Sequence, residues 1–150
     1  MTHPARLLFV CTGNVCRSPI AATLAELRAV QLAIDLEVRS AGTAGLVGVP
    51  ASKSMVAVAR EAGLDLTAHR SQALTAALID WADQIAVMEL RHGEAVSALV
   101  PGAVEKVVPL GPLVGTLQID DPHGRWLRGP YRRARDELRR AVALLLPSVS

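Results

Sequence analysis

The chain has 150 residues, of which 51% are hydrophobic, and this is the size of a single domain that buries a core without disulfides or metal ions. The 16 basic and 14 acidic residues leave a formal net charge of +2, too small for the strongly basic face of a nucleic-acid-binding protein. Two cysteines are too few for a disulfide-stapled secreted domain or a four-ligand zinc site. No apolar run approaches the roughly 18 residues of a membrane span. We therefore expect a cytoplasmic protein.

The first predicted elements are a strand and a helix. The apolar run RLLFV, residues 6–10, predicts a strand covered on both faces, and residues 18–34 predict a helix. Ser18 suits the N-cap of that helix and Pro19 its first turn. The helical spacing predicts one buried stripe, formed by Ile20, Leu24, Leu27, Val30 and Ile34.

Strands and helices continue to alternate along the rest of the chain. Strands are predicted over 36–42, 84–88 and 105–110, and helices over 52–62, 74–81, 91–99 and 131–146. The glycine-rich segments 43–51 and 111–130 are expected to be loops. In the last helix we expect a buried stripe of Ala134, Leu138, Val142 and Leu145, and an ion pair between Glu137 and either Arg133 or Arg140.

This alternation predicts one α/β domain over residues 1–150. It would have a four-stranded parallel sheet with helices on both faces and a phosphate-binding loop after the first strand. Ligands of such sheets bind beyond the carboxyl ends of the strands, which is where residues 11–18 are expected.

The turn CTGNVCRS, residues 11–18, has the chemistry of an anion site. In so short a turn the backbone N–H groups can point inward, and the positive end of the following helix adds to their field. Gly13 and Asn14 tolerate backbone geometry that most residues resist. Arg17 would add a planar fork matched to two phosphate oxygens. The residues expected to surround the phosphate are Thr12, Gly13, Asn14, Val15 and Cys16.

Cys11 is expected at the end of the strand, beneath these donors. Such surroundings favour the thiolate form of a cysteine, and a thiolate under a bound phosphate can attack phosphorus. Ser18 is a candidate hydrogen-bond donor to that thiolate. The contrasting interpretation is an ordinary turn with a buried cysteine. Neither GxxxxGK[ST] nor GxGxxG is present, so nucleotide binding is not expected.

The segment FVCTGNVCRSPIAATL resembles the active-site loop of the low-molecular-weight protein tyrosine phosphatases. The segments VRSAGT (38–43), AHRSQAL (68–74), AVMELRH (86–92) and DDPHG (120–124) follow in that family's order. The resemblance implies a phosphatase that acts on phosphotyrosine in proteins through a cysteinyl-phosphate and needs no metal or cofactor. It assigns catalytic roles to Cys11, Arg17, Ser18 and Asp121, and gives Ser40 and His69 the task of supporting Asn14.

The general acid can also be considered chemically. A tyrosine oxygen leaves poorly unless it is protonated, so a carboxyl group must reach over the turn. Asp120 and Asp121 are the two acidic residues of the 111–130 loop. Pro122 restricts Asp121 to extended geometry, and we prefer Asp121 mainly because of the resemblance. Since an ordinary aspartate is largely ionised at neutral pH, we expect an acidic activity optimum.

The chain departs from the family in the side walls of the site. Many members have tyrosines after the Asp-Pro pair, where this chain has His123 and Gly124, and several have an aromatic residue in the segment that here is AGLVGV. Trp126, Tyr131 or Leu46 are candidates for the missing wall. One branch of the family hydrolyses phosphoarginine, and that activity is the main competing hypothesis. Val15 favours an aryl substrate, because the arginine branch has threonine there.

Three further functions fit the residues less well. An arsenate reductase of the same fold uses later cysteines, and none follows Cys16. A cysteine phosphocarrier needs neither the arginine nor the Asp-Pro acid, and a catalytically inactive scaffold would rely on the arginine-rich last helix.

Cys16 either forms a protective disulfide with Cys11 or packs behind the turn. His92 is expected to be a lone exposed side chain. We expect a monomer that binds phosphorylated proteins, without nucleic-acid or membrane partners.

Overall fold

The computed structural model describes residues 3–149 and contains one parallel sheet in the order β2-β1-β3-β4. The strands are β1 (Ala5–Cys11), β2 (Leu36–Gly42), β3 (Gln84–Val87) and β4 (Val107–Pro109). The helices are α1 (Arg17–Leu32), α2 (Lys53–Glu61), α3 (Ala76–Trp81), α4 (Leu90–Leu99) and α5 (Gly129–Leu145). The predicted four-stranded α/β fold is confirmed. Within residues 3–149, none of the helices combines the length and the apolar character needed to cross a bilayer.

Strand β1 is central, and its side chains enter two different cores. Leu7 and Phe9 join the cluster that includes the buried faces of α1, α2 and α5, whereas Leu8 and Val10 join the cluster formed with α3 and α4. Successive side chains of a strand point to opposite faces, so a strand between two helical layers must be apolar at every position. Residues 7–10, LLFV, meet this requirement, and the same alternation puts Cys11 on the α1 and α5 side.

The register of the sheet brings the carboxyl ends of its strands to one edge. Cys11 lies opposite Gly42 at the end of β2, and Val10 lies opposite Val87 at the end of β3. Val87 in turn lies opposite Pro109 at the end of β4. The segments that follow all four strands therefore meet at this edge.

Helix α1 differs from the prediction in its start and in its buried face. It begins at Arg17 with Cys16 as the N-cap, so the assignment of Ser18 as the N-cap is wrong. Leu27 and Val30 are 42% and 79% exposed, although the spacing predicted both in the stripe. The buried face continues instead through small side chains, Ala21, Ala25 and Ala29, which lie in the same core cluster as the buried residues of α5.

The predicted boundaries after β3 also need correction. Residues 101–106 form a 3-10 helix, so β4 is shorter than the predicted strand 105–110. A second 3-10 helix, Gly111–Val114, opens the segment predicted to be entirely loop.

Helix α5 buries the predicted stripe, but its ion pairs are different. Ala134, Leu138, Val142 and Leu145 are all buried. Within the described chain, Glu137 pairs with neither predicted arginine. Instead, Arg132 and Arg135 bind Glu61 at 2.7 and 2.9 Å and join α5 to the end of α2. The hydrogen bond from Arg132, supported by that from Arg135, lowers the pKa of Glu61 to about 2.

We expect Leu138→Ala to destabilise the protein by about 2–5 kcal/mol, because truncating a fully buried leucine leaves a cavity between α5 and the sheet. Leu144 lies on the same helix and is 58% exposed, so Leu144→Ala is the matched control and should change the free energy of unfolding by less than about 0.5 kcal/mol. Urea unfolding followed by circular dichroism measures both. Equal losses in the two variants would contradict this packing of α5.

Candidate active site

The turn after β1 wraps around the sulfur of Cys11. The Asn14 backbone N–H donates a hydrogen bond to Cys11 Sγ at 3.3 Å, and Ser18 Oγ lies 3.0 Å from the same sulfur. Cys11, Asn14 and Ser18 are all buried. Ser18, whose side chain was predicted to cap α1, thus contacts Cys11 instead.

The direction of the Ser18 hydrogen bond follows from the neighbouring contacts. The Gln72 backbone N–H donates to Asn14 Oδ1 at 2.9 Å, which makes the other end of this amide its NH₂ group. Asn14 Nδ2 donates to Ser18 Oγ at 2.7 Å and to Ser40 Oγ at 2.9 Å. Because Ser18 Oγ already accepts from Asn14, its own hydrogen is available for the sulfur. The Asn14 N–H and the Ser18 hydroxyl are thus two hydrogen-bond donors to the Cys11 sulfur.

Asn14 holds the turn in a conformation that few residues adopt. Its φ is 56°, in the left-handed region, where asparagine is tolerated better than most residues. The carbonyl oxygen of Asn14 accepts a hydrogen bond from His69 Nε2 at 2.7 Å, so this nitrogen carries a hydrogen. Burial lowers the pKa of His69, while the hydrogen bond to Asn14 opposes that effect. Ser40 and His69 therefore both contact Asn14.

Gly42 lets the turn lie directly against the end of β2. A Cβ atom at this position would be 2.6 Å from the Thr12 carbonyl oxygen and 3.0 Å from the Asn14 nitrogen. Real Cβ atoms do not approach backbone atoms so closely. The sequence pattern indicated Gly42 only as the end of a strand, because the close approach depends on tertiary structure.

Several backbone donors of the turn are not used by the protein. Within residues 3–149, the N–H groups of Gly13, Val15, Cys16 and Arg17 have no hydrogen-bond acceptor. They belong to a turn that encloses a sulfur atom and leads into the N-terminus of α1. Uncommitted N–H groups next to a helix N-terminus form a binding site for an anion.

Arg17 adds a buried cation to this donor set. Its side chain is 1% exposed, and Nη1 donates to Glu89 Oε2 and to the Ile119 carbonyl oxygen, both at 2.7 Å. Nη2 lies 3.4 Å from Asp121 Oδ2. Nε is buried and has no partner within the described chain. Buried donors are nearly always satisfied, so this Nε indicates that the site is built to bind an acceptor.

Glu89 holds Arg17 in place, a role that the sequence pattern did not predict. It accepts from Arg17 and from Arg91, whose Nε lies 3.1 Å from Glu89 Oε1. Burial alone would raise the pKa of Glu89, but the hydrogen bonds from Arg91 and Arg17 hold that pKa below its usual value. Glu89 lies two residues after the end of β3. This position at the edge of the sheet where ligands bind could have indicated that Glu89 belongs to the site.

His92 was expected to be exposed, and this is wrong. It is fully buried, with Nε2 3.0 Å from Thr12 Oγ1 and Nδ1 accepting from the Glu89 backbone N–H at 3.0 Å. Burial, followed by the nearby charge of Arg17, lowers the pKa of His92 to about 4. The spacing Glu89-x-x-His92 is that of a helix N-cap and its N3 residue, which could have indicated this contact.

Asp121 faces the site from the long segment after β4. Its Oδ1 accepts the His123 backbone N–H at 3.0 Å, and its Oδ2 is the oxygen near Arg17. Both Asp120 and Asp121 are exposed, but only Asp121 lines the cleft above Cys11. The preference for Asp121 is thus consistent with where the two carboxyl groups lie.

The cleft has a volume of about 180 Å³ and is lined by apolar groups around its polar base. Val15, Ala44, Leu46 and His123 line its sides. Trp126 is 89% exposed and does not line the cleft. Tyr131 is buried and donates its hydroxyl hydrogen to the Arg125 carbonyl oxygen at 3.3 Å. Of the three candidates for the missing wall, only Leu46 lies at the cleft.

Cys16 also lies at this cleft, but in a different electrostatic environment. Burial raises the pKa of Cys16 to about 12, despite the lowering effect of a hydrogen bond from Ser52. Its sulfur lies 3.6 Å from His123 Nδ1, and both cysteines are reduced. Cys16 is therefore a neutral thiol at physiological pH and packs within the core.

Comparison with known families gives one match over nearly the whole chain. The model of the family described as low molecular weight phosphotyrosine protein phosphatase matches residues 6–150. This range includes every residue discussed at the cleft.

Individual relatives match over most of their own length. A protein-arginine-phosphatase from Geobacillus stearothermophilus is 41% identical over 140 residues, covering 90% of this chain and 89% of that protein. A probable low molecular weight protein-tyrosine-phosphatase, EpsP, from Ralstonia solanacearum is 34% identical over 143 residues, covering 95% and 94%. Among solved structures, Vibrio vulnificus Wzb in complex with benzylphosphonate has a TM-score of 0.88 and 32% identity, covering 97% of this chain and 99% of that chain.

Gly42→Ala should weaken the binding of inorganic phosphate, because the new methyl group displaces the Thr12 and Asn14 backbone. We expect at least a tenfold rise in the dissociation constant measured by calorimetry, which corresponds to roughly 1.4 kcal/mol. Gly102→Ala is the control, since a Cβ there meets nothing within 4 Å. Unchanged phosphate binding by Gly42→Ala would show that the turn does not depend on this contact.

The buried His92 predicts a loss of stability in acid. Its pKa is lowered to about 4 from 6.5, so below pH 6.5 the unfolded chain binds the proton first and unfolding becomes more favourable. His69, whose pKa is also lowered, acts in the same direction. We expect His92 to account for a loss of about 3 kcal/mol between pH 7 and 4.

Urea unfolding at several pH values measures this effect. The difference in unfolding free energy between wild type and His92→Gln should shrink as the pH falls through that window, because glutamine does not titrate. A constant difference would mean that His92 takes up protons equally in both states.

Proposed function

Because the chain belongs to the low molecular weight phosphotyrosine protein phosphatase family, we propose that it hydrolyses phosphotyrosine in proteins with Cys11 as the nucleophile. The observation that carries this proposal is the hydrogen-bonding of one sulfur atom. Cys11 Sγ receives the Asn14 N–H and faces the Ser18 hydroxyl, whose hydrogen is left for it. Ser18 would stabilise the thiolate before attack and again when it leaves phosphorus.

In the first step the Cys11 thiolate attacks phosphorus. A sulfur–phosphorus bond forms while the bond between phosphorus and the tyrosine oxygen breaks. Asp121 gives its proton to the departing oxygen, which makes tyrosine a good leaving group. Asp121 lies at the cleft, where its carboxyl group can reach that oxygen. The products of this step are tyrosine and a cysteinyl-phosphate with an ionised Asp121.

In the second step water hydrolyses the cysteinyl-phosphate. Asp121 takes one proton from the attacking water, the sulfur–phosphorus bond breaks, and inorganic phosphate leaves. The Cys11 thiolate and the protonated Asp121 are thereby regenerated. The free Arg17 Nε and the uncommitted N–H groups of Gly13, Val15, Cys16 and Arg17 would stabilise the equatorial oxygens in both transition states. The chemistry proposed for these residues is complete without a cofactor.

The cleft supports phosphotyrosine as the substrate. The sides of the cleft present Val15 and Leu46. Apolar side chains in these positions can contact both faces of a phenyl ring, and burying the ring favours binding. The relatives named protein-tyrosine-phosphatase, such as the one from Ralstonia solanacearum, are consistent with this substrate.

Phosphoarginine in proteins is the second candidate substrate. The relative from Geobacillus stearothermophilus, which is 41% identical, is named protein-arginine-phosphatase. The cleft also lacks a flat aromatic side wall, since Trp126 and Tyr131 do not line it. Arsenate reduction and phosphocarrier activity are less compatible with the residues, because no cysteine follows Cys16 and because Arg17 and Asp121 serve turnover.

We further propose that the protein works as a monomer in the cytoplasm. The nucleophile must stay reduced, and both cysteines are free thiols. Peroxide, which is itself reduced to water, could oxidise the Cys11 and Cys16 thiols to a disulfide, and this would stop turnover until the disulfide is reduced. The raised pKa of Cys16 favours its packing role while the protein is reduced.

Asp121→Asn should lower kcat for phosphotyrosine by about 10²–10⁴-fold and abolish the fall in rate as pH rises, because asparagine neither donates the proton nor ionises. With p-nitrophenyl phosphate the loss should be smaller, since that leaving group departs without protonation. Asp120→Asn is the matched control and should leave kcat near the wild-type value. A wild-type rate that is flat from pH 5 to 8 would argue against Asp121 as the acid.

Side-by-side hydrolysis of one peptide carrying phosphotyrosine or phosphoarginine tests the substrate. We expect kcat/KM for phosphotyrosine to exceed that for phosphoarginine by at least tenfold, and Cys11→Ser to abolish both activities. A higher kcat/KM for phosphoarginine would show that the proposed substrate is wrong, whereas the proposed mechanism would stand. Mass spectrometry of enzyme quenched during turnover should locate the phosphoryl group on Cys11, and phosphorus on any other residue would disprove the mechanism.

A further inference from the structure

The proposed mechanism leaves His92 unused, although it is fully buried next to the site. It is the one histidine among residues 3–149 that is fully buried. Burying an imidazole is unfavourable unless both ring nitrogens have partners, and here both do. One partner belongs to the start of α4 and the other is Thr12, the residue that follows Cys11.

The partners determine where the ring carries its hydrogen. The Glu89 backbone N–H is only a donor, so Nδ1 must be the acceptor of that hydrogen bond. In the neutral ring Nε2 then carries the hydrogen and donates it to Thr12 Oγ1 at 3.0 Å. Nδ1 therefore caps the start of α4, whereas Nε2 acts on the turn around Cys11.

The Thr12 hydroxyl oxygen lies between His92 and two arginines. Arg91 Nη2 donates to it at 2.9 Å, and Arg17 Nη2 lies 3.5 Å away. Arg17 Nη2 is also 3.4 Å from Asp121 Oδ2, and its two hydrogens allow it to contact both Thr12 and Asp121. A Thr12 side chain that turned away would leave this nitrogen to Asp121.

We propose that His92 is a positioning residue, which acts through the Thr12 hydroxyl to hold Arg17 in the orientation that presents Nε to a phosphoryl oxygen. The proposal rests on the proposed function, because it assigns a task to Arg17 in phosphate binding. Glu89 and the Ile119 carbonyl group fix one end of the guanidinium through Nη1. Thr12 supports the other end, and the hydrogen bond from His92 keeps the Thr12 oxygen turned towards it.

The two ring nitrogens allow a test that separates this role from helix capping. A glutamine side-chain nitrogen is as many bonds from the main chain as Nε2, so His92→Gln retains a donor for Thr12. An asparagine side-chain oxygen corresponds to Nδ1, so His92→Asn retains the cap on Glu89 but loses that donor. The probe is inorganic phosphate, with its dissociation constant measured by calorimetry at pH 7 and unfolding followed in parallel.

We expect His92→Gln to bind phosphate within about twofold of wild type and His92→Asn to bind it about fivefold to tenfold more weakly, as for loss of one hydrogen bond. In phosphotyrosine hydrolysis, kcat/KM should follow the same order. Weaker phosphate binding by His92→Gln than by His92→Asn would overturn the proposal, because it would make His92 only a helix cap. Equal phosphate binding by the two variants would overturn it as well.

A second variant keeps the proposal testable if the His92 variants fold poorly. Thr12→Val removes the hydroxyl group with little change in shape and leaves His92 in place. Thr12→Val should weaken phosphate binding as much as His92→Asn does. The double variant Thr12→Val, His92→Asn should bind phosphate no more weakly than either single variant. Additive losses, or wild-type binding by Thr12→Val, would overturn the proposal.

Phosphate binding does not depend on turnover, so the outcome is separable from the proposed function. If wild type binds phosphate and the variants follow the expected order, but no phosphotyrosine is hydrolysed, the proposed function fails and the positioning role stands. If phosphotyrosine hydrolysis requires Cys11 but does not change in the His92 and Thr12 variants, the proposed function stands and the positioning role fails.

Discussion

The structure depends on one asparagine held in a left-handed backbone conformation. Asn14 turns the chain so that its own N–H reaches Cys11 Sγ, and its side chain bonds Ser18, Ser40 and Gln72. These partners come from α1, β2 and the segment before α3. Because the strain of positive φ is offset by this many contacts, the turn has one defined shape. That shape directs hydrogen-bond donors at the sulfur.

The second requirement is a buried arginine whose charge is only partly matched inside the protein. Glu89 and the Ile119 carbonyl group hold one nitrogen of Arg17, while Nε remains free within the described chain. Removing a guanidinium from water is unfavourable, and the carboxylates of Glu89 and Asp121 compensate for part of that cost. An anion in the cleft would supply the rest. The site is therefore organised before a phosphate arrives, which reduces the reorganisation needed for catalysis.

Much of the cleft could be predicted because the key residues are adjacent in sequence. Cys11 to Ser18 form one turn, so strand, turn and helix constrain their relative positions. Ser40, His69 and Asp121 were assigned from the family resemblance, and the structure places the first two against Asn14 and the third at the cleft. Glu89 and His92 were not assigned, because their partners Arg17 and Thr12 are far away along the chain. His92 was expected to be exposed, and the Glu89-x-x-His92 spacing indicates only a cap at the start of α4 and not the contact with Thr12.

The sequence alone determined the α/β fold, the burial of the first strand on both faces and the turn that surrounds Cys11, since hydrophobic periodicity and local backbone preferences act over a few residues. Only tertiary structure decided which helix faces are covered. Leu27 and Val30 of α1 stay exposed, whereas the alanines of α1 are buried in the core that α1 shares with α5. It also decided that Gly42 must lack a side chain and that Arg17 has Glu89 as its partner. These features arise where separate strands end at one edge, and such long-range proximity is not encoded in any short segment.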